Sequence, residues 1–318
     1  MDLIYTNKQR SDVGVIHAYA LDLSFGSSEN DYEITVGQSE AALDYGSFIY
    51  MEGTEYGGIV DAKKTITADE NITYMGRTWH GILNSKVIEP DPGKSHLVVS
   101  GNANEILGLL IHRLSLESLF SASSEISEVY ISGYQFQRYC KGYDGIRDML
   151  SDNGSKLQIT WKDRGVVLSA VPVVDYTAAP VDNDEASLTV ERHEKKINHL
   201  VCLGKGELAE REVIHLYADA SGNIGDTKYF TGLDEYADKY DNSNAEDLRS
   251  EGIKKFKELL DIDKAELDLN ESQSRVYDIG DFVGATDINS GVSVSAAVTQ
   301  KIVKITNGEV SVDYKTGS

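Results

Sequence analysis

The chain has 318 residues, of which 41% are hydrophobic and 26% charged, a composition typical of a globular protein with a substantial core. Its 52 acidic and 30 basic residues give a formal net charge of −22, which repels phosphate and argues against tight nucleic-acid binding. The longest apolar run, 106–111, is far shorter than the roughly 18 residues of a membrane span, so none is expected. Residues 1–5 do not resemble the start of a secretory signal, and we expect folding in the cytoplasm of the cell that makes the protein.

The first hundred residues alternate apolar and polar side chains in short runs, the pattern of half-buried strands. One strand is predicted over 13–25, a second over 32–36, and a hairpin over 47–66 with a glycine-containing turn at 52–57. A further strand is expected from Ile72 to Leu83. Short strands between Gly-rich and Asn/Asp-rich turns predict a small barrel or sandwich.

The character of the sequence changes at 90–93, where two of the four prolines cluster with a glycine and predict a domain boundary. Beyond it, Asn102 precedes an apolar stretch, and Glu105 follows three residues later, as in a reciprocal N-cap. The sequence therefore predicts a helix that ends at about Arg113. A second short helix is predicted at 144–151, where apolar residues share one face.

The clearest hairpin in the sequence follows directly. Alternating runs at 156–161 and 166–171 flank a polar turn at 162–165. The middle third is therefore predicted to be α+β, and the polar segment 177–186 is predicted to be a linker.

The final third returns to strands, interrupted by one amphipathic helix that begins near Leu248. Glu251 and Lys255 are expected to form an i, i+4 ion pair on this helix. Turns are predicted at 289–291 and at the Asn-Gly pair 307–308. The predicted strands are 199–204, 211–218, 276–283, 292–305 and 309–314.

The sequence contains no recognisable catalytic motif. GxxxxGK[ST], HExxH, GxSxG and SxxK are absent, and no GxGxxG joins a strand to a helix. Gly204 and Gly206 lie between two predicted strands, so we expect them to be turn residues. We predict no catalytic, cofactor-binding or metal-ligating residue and no enzyme activity.

Two acidic segments are better explained as turns than as sites. Asp278 and Asp281 lie close in sequence, but nothing marks them as a glycosidase pair, and Asp with Gly favours a bend. Segment 219–226 offers oxygens at the first, third and fifth positions of a calcium loop. It has Ile224 at the sixth position, where such loops need glycine, and Phe230 at the twelfth, where they need glutamate. We therefore expect a hairpin turn there.

Histidines and cysteines are dispersed along the chain. His193 and His199 are six residues apart and give no metal-ligand geometry. His112 is expected to complement the dipole at a helix end or to pack there. Cys140 and Cys202 have no CxxC spacing, and we expect both to be reduced, partly buried thiols.

Patterns in three parts of the chain carry a family resemblance. They are 3–6 with 14–25 and 30–34, then 198–206 with Arg211, and finally 277–287 with 290–291 and 298–303. Together these patterns resemble the tail hub family of long-tailed phages and prophages, which is related to the N-terminal hub of the tail-associated protein and to the baseplate hubs of contractile tails. The resemblance spans nearly the whole chain and consists of strand and turn patterns.

The resemblance implies a β-rich α+β fold with two small tube-forming β-barrel domains. It places the N-terminal barrel at 1–92, a middle α+β domain at 93–190, and the second barrel at 191–231 and 275–318. A helical insertion in the second barrel is expected at 232–274. The order of strands, mixed structure, strands, helix and strands deduced from the residues is the same.

The resemblance also implies a structural role at a phage or prophage tail tip or baseplate. Members of the family form homotrimers that close the tail tube and open for DNA passage, between the distal tail protein and the tip and in contact with the tape measure protein. A lytic or receptor-binding module is expected on another chain, since this sequence ends at Ser318. The negative charge would then line a lumen that does not retain DNA, or simply keep the protein soluble.

Two alternatives stay open at the level of sequence. One is a glycan-binding or glycan-processing β protein that uses carboxylates and some of the 18 tyrosines, although tyrosine is also a favoured strand residue. The other is the hub of a non-phage contractile injection system. A strict monomer with paired carboxylates in a deep cleft would favour the glycan protein over a hub.

Overall fold

A computed structural model describes residues 2–40, 43–66, 69–177, 186–191, 195–245, 247–260, 264–269, 276–286, 293–306 and 308–317. It divides the chain into two compact units, unit 1 (Met1–Leu188 and Leu267–Ser318) and unit 2 (Thr189–Glu266). Strands outweigh helices, which confirms the predicted β-rich α+β class. No sheet closes on itself within the described ranges, and the two barrels stay a prediction.

Most of the described secondary structure consists of strands. In chain order they are β1 (Leu3–Thr6), β2 (Asp12–Ile16), β3 (Tyr19–Gly26), β4 (Asp31–Gly37), β5 (Phe48–Tyr50), β6 (Gly57–Thr65), β7 (Asn71–Thr78), β8 (Val87–Ile88), β9 (Val98–Asn102), β10 (Phe120–Ala122), β11 (Tyr130–Gln135), β12 (Cys140–Lys141), β13 (Ser155–Lys162), β14 (Gly165–Pro172), β15 (Ala186–Glu191), β16 (His199–Leu203), β17 (Val213–Ala218), β18 (Ile224–Gly225), β19 (Ala237–Asp241), β20 (Lys264–Leu269), β21 (Phe282–Thr286), β22 (Ser293–Thr306) and β23 (Glu309–Gly317).

Helices are fewer and shorter. They are α1 (Trp79–Asn84), α2 (Ala103–Arg113), α3 (Gly142–Ser151) and α4 (Leu248–Leu260), with 3₁₀ turns at Leu208–Glu210 and Gly232–Asp234. The predicted helices near 102–113, 144–151 and 248–260 are confirmed. Asn102 is the N-cap of α2, and its side chain accepts a hydrogen bond from the backbone N–H of Asn104.

The largest sheet has twelve strands in the order β15-β20-β23-β22-β3-β4-β7-β6-β5-β1-β2, with β21 beside β22. The C-terminal β22 pairs antiparallel with the N-terminal β3, from Gln300 opposite Gly26 to Thr306 opposite Ala20. The two ends of the chain therefore complete one sheet. Its inward side chains form a core that includes Leu23, and Val303 of β22 packs in the same cluster.

Two of the predicted strands are wrong in their extent. Strand 13–25 is interrupted at His17 and Ala18, whose backbone N–H groups donate to Oε1 of Glu40 at 2.7 and 3.3 Å instead of to a neighbouring strand. The strand expected to reach Leu83 ends at Thr78. There the Thr78 hydroxyl accepts a hydrogen bond from Gly81 N–H and caps α1.

Helices α1–α3 and strands β8–β14 form the mixed part of unit 1. It is built on a second hydrophobic cluster, whose members lie at separate positions between Phe48 and Ala170 in the sequence. The predicted hairpin is confirmed as β13 and β14, with β10 pairing parallel to β14. Trp161 of β13 stacks on Trp79 of α1 with ring centroids 5.1 Å apart. One core therefore joins residues on both sides of the predicted boundary at 92.

Unit 2 has a four-stranded sheet in the order β18-β17-β16-β19. Helix α4 covers one face, where Phe256 packs in a cluster with Leu200, Cys202 and Leu216. Lys255 of α4 pairs with Glu258 at 3.0 Å.

The four predicted domain boundaries stay a prediction. Most of the predicted linker at 177–186, His193 and the predicted turn at 289–291 lie outside the described residues. Where the closing hairpin is described, Gly308 has a φ of +86°, which suits the turn predicted at 307–308.

Candidate functional site

Six ionisable side chains from distant parts of the sequence meet inside unit 1. This buried charge cluster consists of Glu55, His80, Lys156, Asp278, Asp281 and Lys301. Burying a charge is costly unless the group is paired, so the partners of each side chain decide whether the cluster stabilises the fold.

Asp281 is the most deeply buried carboxylate of the cluster, with a side chain 2% exposed. Nζ of Lys156 lies 2.7 and 2.8 Å from its two oxygens and 2.9 Å from Oδ2 of Asp278. The backbone N–H groups of Val174 and Asp278 also donate to Asp281, at 2.9 and 3.0 Å. Burial alone would lower the pKa of Lys156, but the two aspartates raise it. Lys156 therefore stays charged and ties three segments together.

Lys301 forms the second centre of the cluster, and its side chain is 3% exposed. Its Nζ lies 2.7 Å from Oε1 of Glu55 and 3.9 Å from Oδ1 of Asp278. The ammonium also lies 6.0 and 5.7 Å from the ring centroids of Phe25 and Tyr56. Burial opposes the charged form, but the carboxylate of Glu55 outweighs it and raises the pKa of Lys301.

His80 is the neutral member of the cluster. Its ring is buried, stacks on Phe25 with centroids 4.5 Å apart, and meets the edge of Tyr143. Nε2 lies 3.6 Å from Glu55, while Nδ1 has no hydrogen-bond partner. Burial and the nearby charge of Lys301 lower the pKa of His80 to about 3. His80 is therefore uncharged at neutral pH.

The cluster joins elements that are far apart in the sequence. Lys156 lies on β13 of the mixed part, Lys301 lies on β22 of the large sheet, and His80 lies on α1. The segment 276–282 supplies both aspartates between them. The ion pairs of the cluster therefore hold separate elements of unit 1 together, because each lysine pairs with a carboxylate from a different part of the chain.

A cavity of about 290 Å³ adjoins the cluster, and Glu55, His80, Tyr143 and Asp278 are among its lining residues. Lysines pair with the carboxylates beside it: Lys301 pairs with Glu55, and Lys156 pairs with Asp278 and Asp281. Within the described ranges, no group of three or more His, Cys, Asp or Glu side chains could hold a metal ion.

A second feature is an acidic groove of about 600 Å³ on the outer face of β3, β4 and β7. Its acidic lining residues are Asp22, Glu29, Asp31, Glu33 and Asp61. Asp22 of β3 lies directly opposite Glu33 of β4 on one side and opposite Lys304 of β22 on the other. Burial and then the charge of Glu29 raise the pKa of Asp31. Within the described part of the chain, Asp61 is the groove carboxylate with a bidentate cation partner, Arg77, at 2.7 and 2.8 Å.

Two solved structures match this fold along nearly their whole length. Prophage tail protein gp18 from Listeria monocytogenes EGD-e is 13% identical, with a TM-score of 0.51 over 100% of this chain and 95% of that chain. A chain of the phage P2 baseplate in its activated conformation is 10% identical, with a TM-score of 0.50 over 98% of each chain. The chain has a phage tail and baseplate fold. No protein-family model and no curated protein matches the sequence.

Within this phage tail and baseplate fold, Asp278 and Asp281 do form the predicted turn, since Asp281 N–H donates to the Asp278 carbonyl at 3.1 Å. Glu55, His80 and the two lysines were not predicted as site residues from the sequence. A usable signal exists for Lys301: it shares the inward face of β22 with Val303, where a strand pattern predicts an apolar residue.

Other predicted positions have structural roles in the phage tail and baseplate fold. In segment 219–226, Asp219 accepts hydrogen bonds from the backbone N–H groups of Ser221 and Asn223, which confirms a turn. Gly206 has a φ of +97° in the loop between β16 and β17, as expected of a turn glycine. His112, at the end of α2, is exposed and pairs with Glu117.

Cys140 and Cys202 are both free thiols, and burial raises the pKa of each. His199 contacts Glu235 through Nδ1 and His215 through Nε2, at 2.6 and 2.8 Å. Among the helices of the described residues, none is long and apolar enough to cross a membrane.

Proposed function

We propose that this chain is a structural subunit of a phage or prophage tail tip, a trimeric hub that closes the tail tube and opens for DNA passage. The observation that carries the proposal is the fold, which extends over 98–100% of the chain in its likeness to a prophage tail protein and a phage baseplate. The proposed role is structural, and in it the lysine–carboxylate pairs of the buried charge cluster hold unit 1 together.

The acidic groove supports a passage that does not retain DNA. Duplex DNA binds where a protein offers cations that replace condensed counterions, and Asp22, Glu29, Asp31 and Glu33 offer the opposite charge. In the proposed hub this groove faces the DNA path.

The buried charge cluster supports a hub that moves as rigid bodies. Lys156 and Lys301 hold the mixed part and the large sheet of unit 1 to the segment 276–282 by short, well-satisfied contacts. In the proposed opening, displacement occurs between subunits rather than within unit 1. The proposed neighbours are the distal tail protein, the tape measure protein and a separate tip or lytic module, in the virion tail tip after assembly in the host cytoplasm.

The test is the mass and symmetry of the purified chain. Sedimentation or light scattering across a wide concentration range is expected to show a trimer of the 34.9 kDa subunit, and electron microscopy a ring with a central opening. If only monomers form even in the presence of the neighbouring tail proteins, and the monomer binds glycans, the glycan alternative replaces the hub.

A further inference from the structure

The cavity beside the buried charge cluster combines charged and apolar lining residues. It has a volume of about 290 Å³, and three members of the cluster line it: Glu55, His80 and Asp278. Its aromatic and aliphatic lining residues include Tyr56, Tyr143, Leu157 and Val276. Ligand sites often have such an apolar lining with a few polar groups, and this volume suits a small ligand.

The charges of the cluster do not balance. It contains three carboxylates and two lysines, and its histidine is neutral, so −3 + 2 leaves a net charge of −1. Arg147 lies 5.7 Å from the centre of the Tyr143 ring, but Asp144 lies 4.0 Å from its guanidinium and offsets its charge. Among the described residues, one negative charge of a largely buried cluster therefore has no cation of its own, which is costly.

Two carboxylate oxygens of the cluster accept no hydrogen bond within the described part of the chain. Lys301 donates to Oε1 of Glu55 at 2.7 Å, which leaves Oε2 free. Lys156 donates to Oδ2 of Asp278 at 2.9 Å, and Oδ1 lies 3.9 Å from Lys301, beyond hydrogen-bond distance. Burial raises the pKa of Glu55 although Lys301 opposes this, as expected of a carboxylate whose charge is only partly compensated.

His80 is a second, independent sign of a ligand at the cavity. Its side chain is 3% exposed, yet neither ring nitrogen has a hydrogen-bond partner among the described residues. Nε2 is directed at Glu55, but the 3.6 Å between Nε2 and Oε2 is too long for a hydrogen bond. A neutral imidazole has one nitrogen that accepts a hydrogen bond. A donor group in the cavity could therefore reach His80 and Glu55 together.

We propose that this cavity binds a primary ammonium group carried on an alkyl chain. A protonated amine has three donors and no acceptor, which matches the free acceptors of Glu55, Asp278 and His80. Its charge brings the cluster to neutrality. The rings of Tyr56 and Tyr143 and the side chain of Leu157 offer apolar surface to the alkyl chain.

The ligand is an organic cation and not a metal ion, because no group of three or more His, Cys, Asp or Glu side chains in the described ranges could hold a metal. The ammonium belongs either to a free amine or to a lysine side chain of another protein. This binding site goes beyond the proposed structural role and does not depend on it.

The first test is calorimetric titration of the full chain at pH 7.5 with n-butylamine, and with n-butanol as the uncharged ligand of the same shape. The amine is expected to bind saturably at one site, and the alcohol about tenfold more weakly or not at all, since it lacks the charge. Val276→Trp should abolish amine binding by filling the cavity, and it should fold because this position is 67% exposed. Ile126→Trp, at a position 88% exposed elsewhere in unit 1, is the matched control and should bind as wild type does.

The second test removes the acceptors. Glu55→Gln keeps the shape of the side chain and should weaken amine binding about tenfold or more, with a melting curve to show that the variant folds. His80→Phe leaves every charge of the cluster in place and should weaken binding about fivefold, so it tests the site even if Glu55→Gln does not fold.

A third ligand, Nα-acetyl-lysine N-methylamide, separates the two sources of the ammonium. Its binding identifies a lysine side chain of another protein as the ligand, whereas binding of n-butylamine alone identifies a free amine; either result supports the site. Equal binding of amine and alcohol, or amine binding that Val276→Trp does not change, overturns the proposal. Arg275 lies outside the described residues, and amine binding by Arg275→Gln but not by wild type would also overturn it, because the chain would then supply its own cation.

Discussion

Asp281 is a single buried carboxylate that receives hydrogen bonds from one lysine and two backbone amides. Removing it leaves the ammonium of Lys156 in a nearly dry site with only the more exposed Asp278 as a partner. We expect Asp281→Ala to lower the free energy of unfolding by about 3 kcal/mol or more, the range found when one partner of a buried pair is lost. Denaturant unfolding followed by tryptophan fluorescence measures the change.

The matched control is Asp278→Ala, because this side chain is 44% exposed and Lys156 retains Asp281. Its cost is expected to be about 1 kcal/mol or less. The double variant Lys156→Met with Asp281→Ala should recover part of the loss, since no unpaired buried charge remains. If Asp281→Ala and Asp278→Ala lower the free energy of unfolding equally, burial of the Lys156–Asp281 pair is not what stabilises the cluster.

His80 gives the molecule a specific dependence on pH. Its pKa is about 3 in the folded protein, because of burial and Lys301, whereas an unfolded histidine titrates near about 6.5. Between these values the unfolded chain binds a proton that the folded chain does not, so stability falls as the pH drops below about 6.5. His80→Phe keeps the stacking on Phe25 and removes the proton. From pH 6.5 to 5, wild type should therefore lose about 2 kcal/mol more than this variant.

Unfolding free energies measured across this range test the assignment. His112→Gln is the control, because this side chain is 82% exposed and lies outside the buried charge cluster, so the variant should retain the loss of stability that His80 causes in acid. If His80→Phe and wild type lose stability in parallel, another group is responsible for the acid sensitivity.

Among the elements, the hairpin of β13 and β14 offers the simplest gain in stability. Its register pairs Lys162 with Gly165, and the two turn residues Asp163 and Arg164 have φ of +53° and +64°. Two positive φ values are the mark of the type I′ turn, which prefers Asn-Gly. Glycine relieves the backbone strain at position 164 but gives the unfolded chain more conformational freedom, and the second effect offsets part of the first. Arg164→Gly is therefore expected to raise the free energy of unfolding of unit 1 by about 0.5 kcal/mol.

Melting temperatures of two variants check this expectation. Arg164→Ala removes the same charged side chain but keeps the β-carbon, so it should bring no gain. If alanine and glycine stabilise equally, the benefit comes from losing the arginine and the backbone strain is irrelevant.

Some of the elements could be predicted from the sequence alone, and others could not. Hairpin 156–171 and the helix after Asn102 were predicted because their signals are local: alternation, a polar turn and an N-cap. The segment after Thr78 was misassigned, since Trp79 and Ile82 suit a strand as well as a helix. The capping hydroxyl of Thr78 and burial on several sides of a six-residue helix decided the outcome.

The buried charge cluster was beyond sequence analysis for a different reason. Lys156 and Asp281 are 125 residues apart, and Glu55 and Lys301 are 246 apart, so no local pattern connects them. Their pairing depends on how the C-terminal strands return to the N-terminal sheet. The sequence does mark Lys301 as unusual, because it occupies an inward strand position, but it does not name the partner.

At the scale of the whole molecule, either the formal net charge of −22 or the local charge of the acidic groove could keep DNA from binding. Reversing Asp22, Glu29, Asp31 and Glu33 to lysine changes the charge by two at each position, so −22 + 8 gives −14. A control with four reversals on unit 2 has the same net charge and an unaltered groove. The control positions are Glu207, Glu210, Asp238 and Glu258, all exposed.

Wild type is expected to show no binding to duplex DNA even at about 50 mM salt, where phosphate contacts are strongest. The groove variant should bind, and its affinity should fall steeply as salt rises, because its clustered lysines release counterions. The unit 2 control should bind much more weakly at equal net charge. Fluorescence anisotropy with a labelled duplex measures all three proteins. Equal binding by the two variants would mean that the total charge, and not the groove, keeps DNA from binding. Weak binding by both variants would mean that the groove is not a path for DNA.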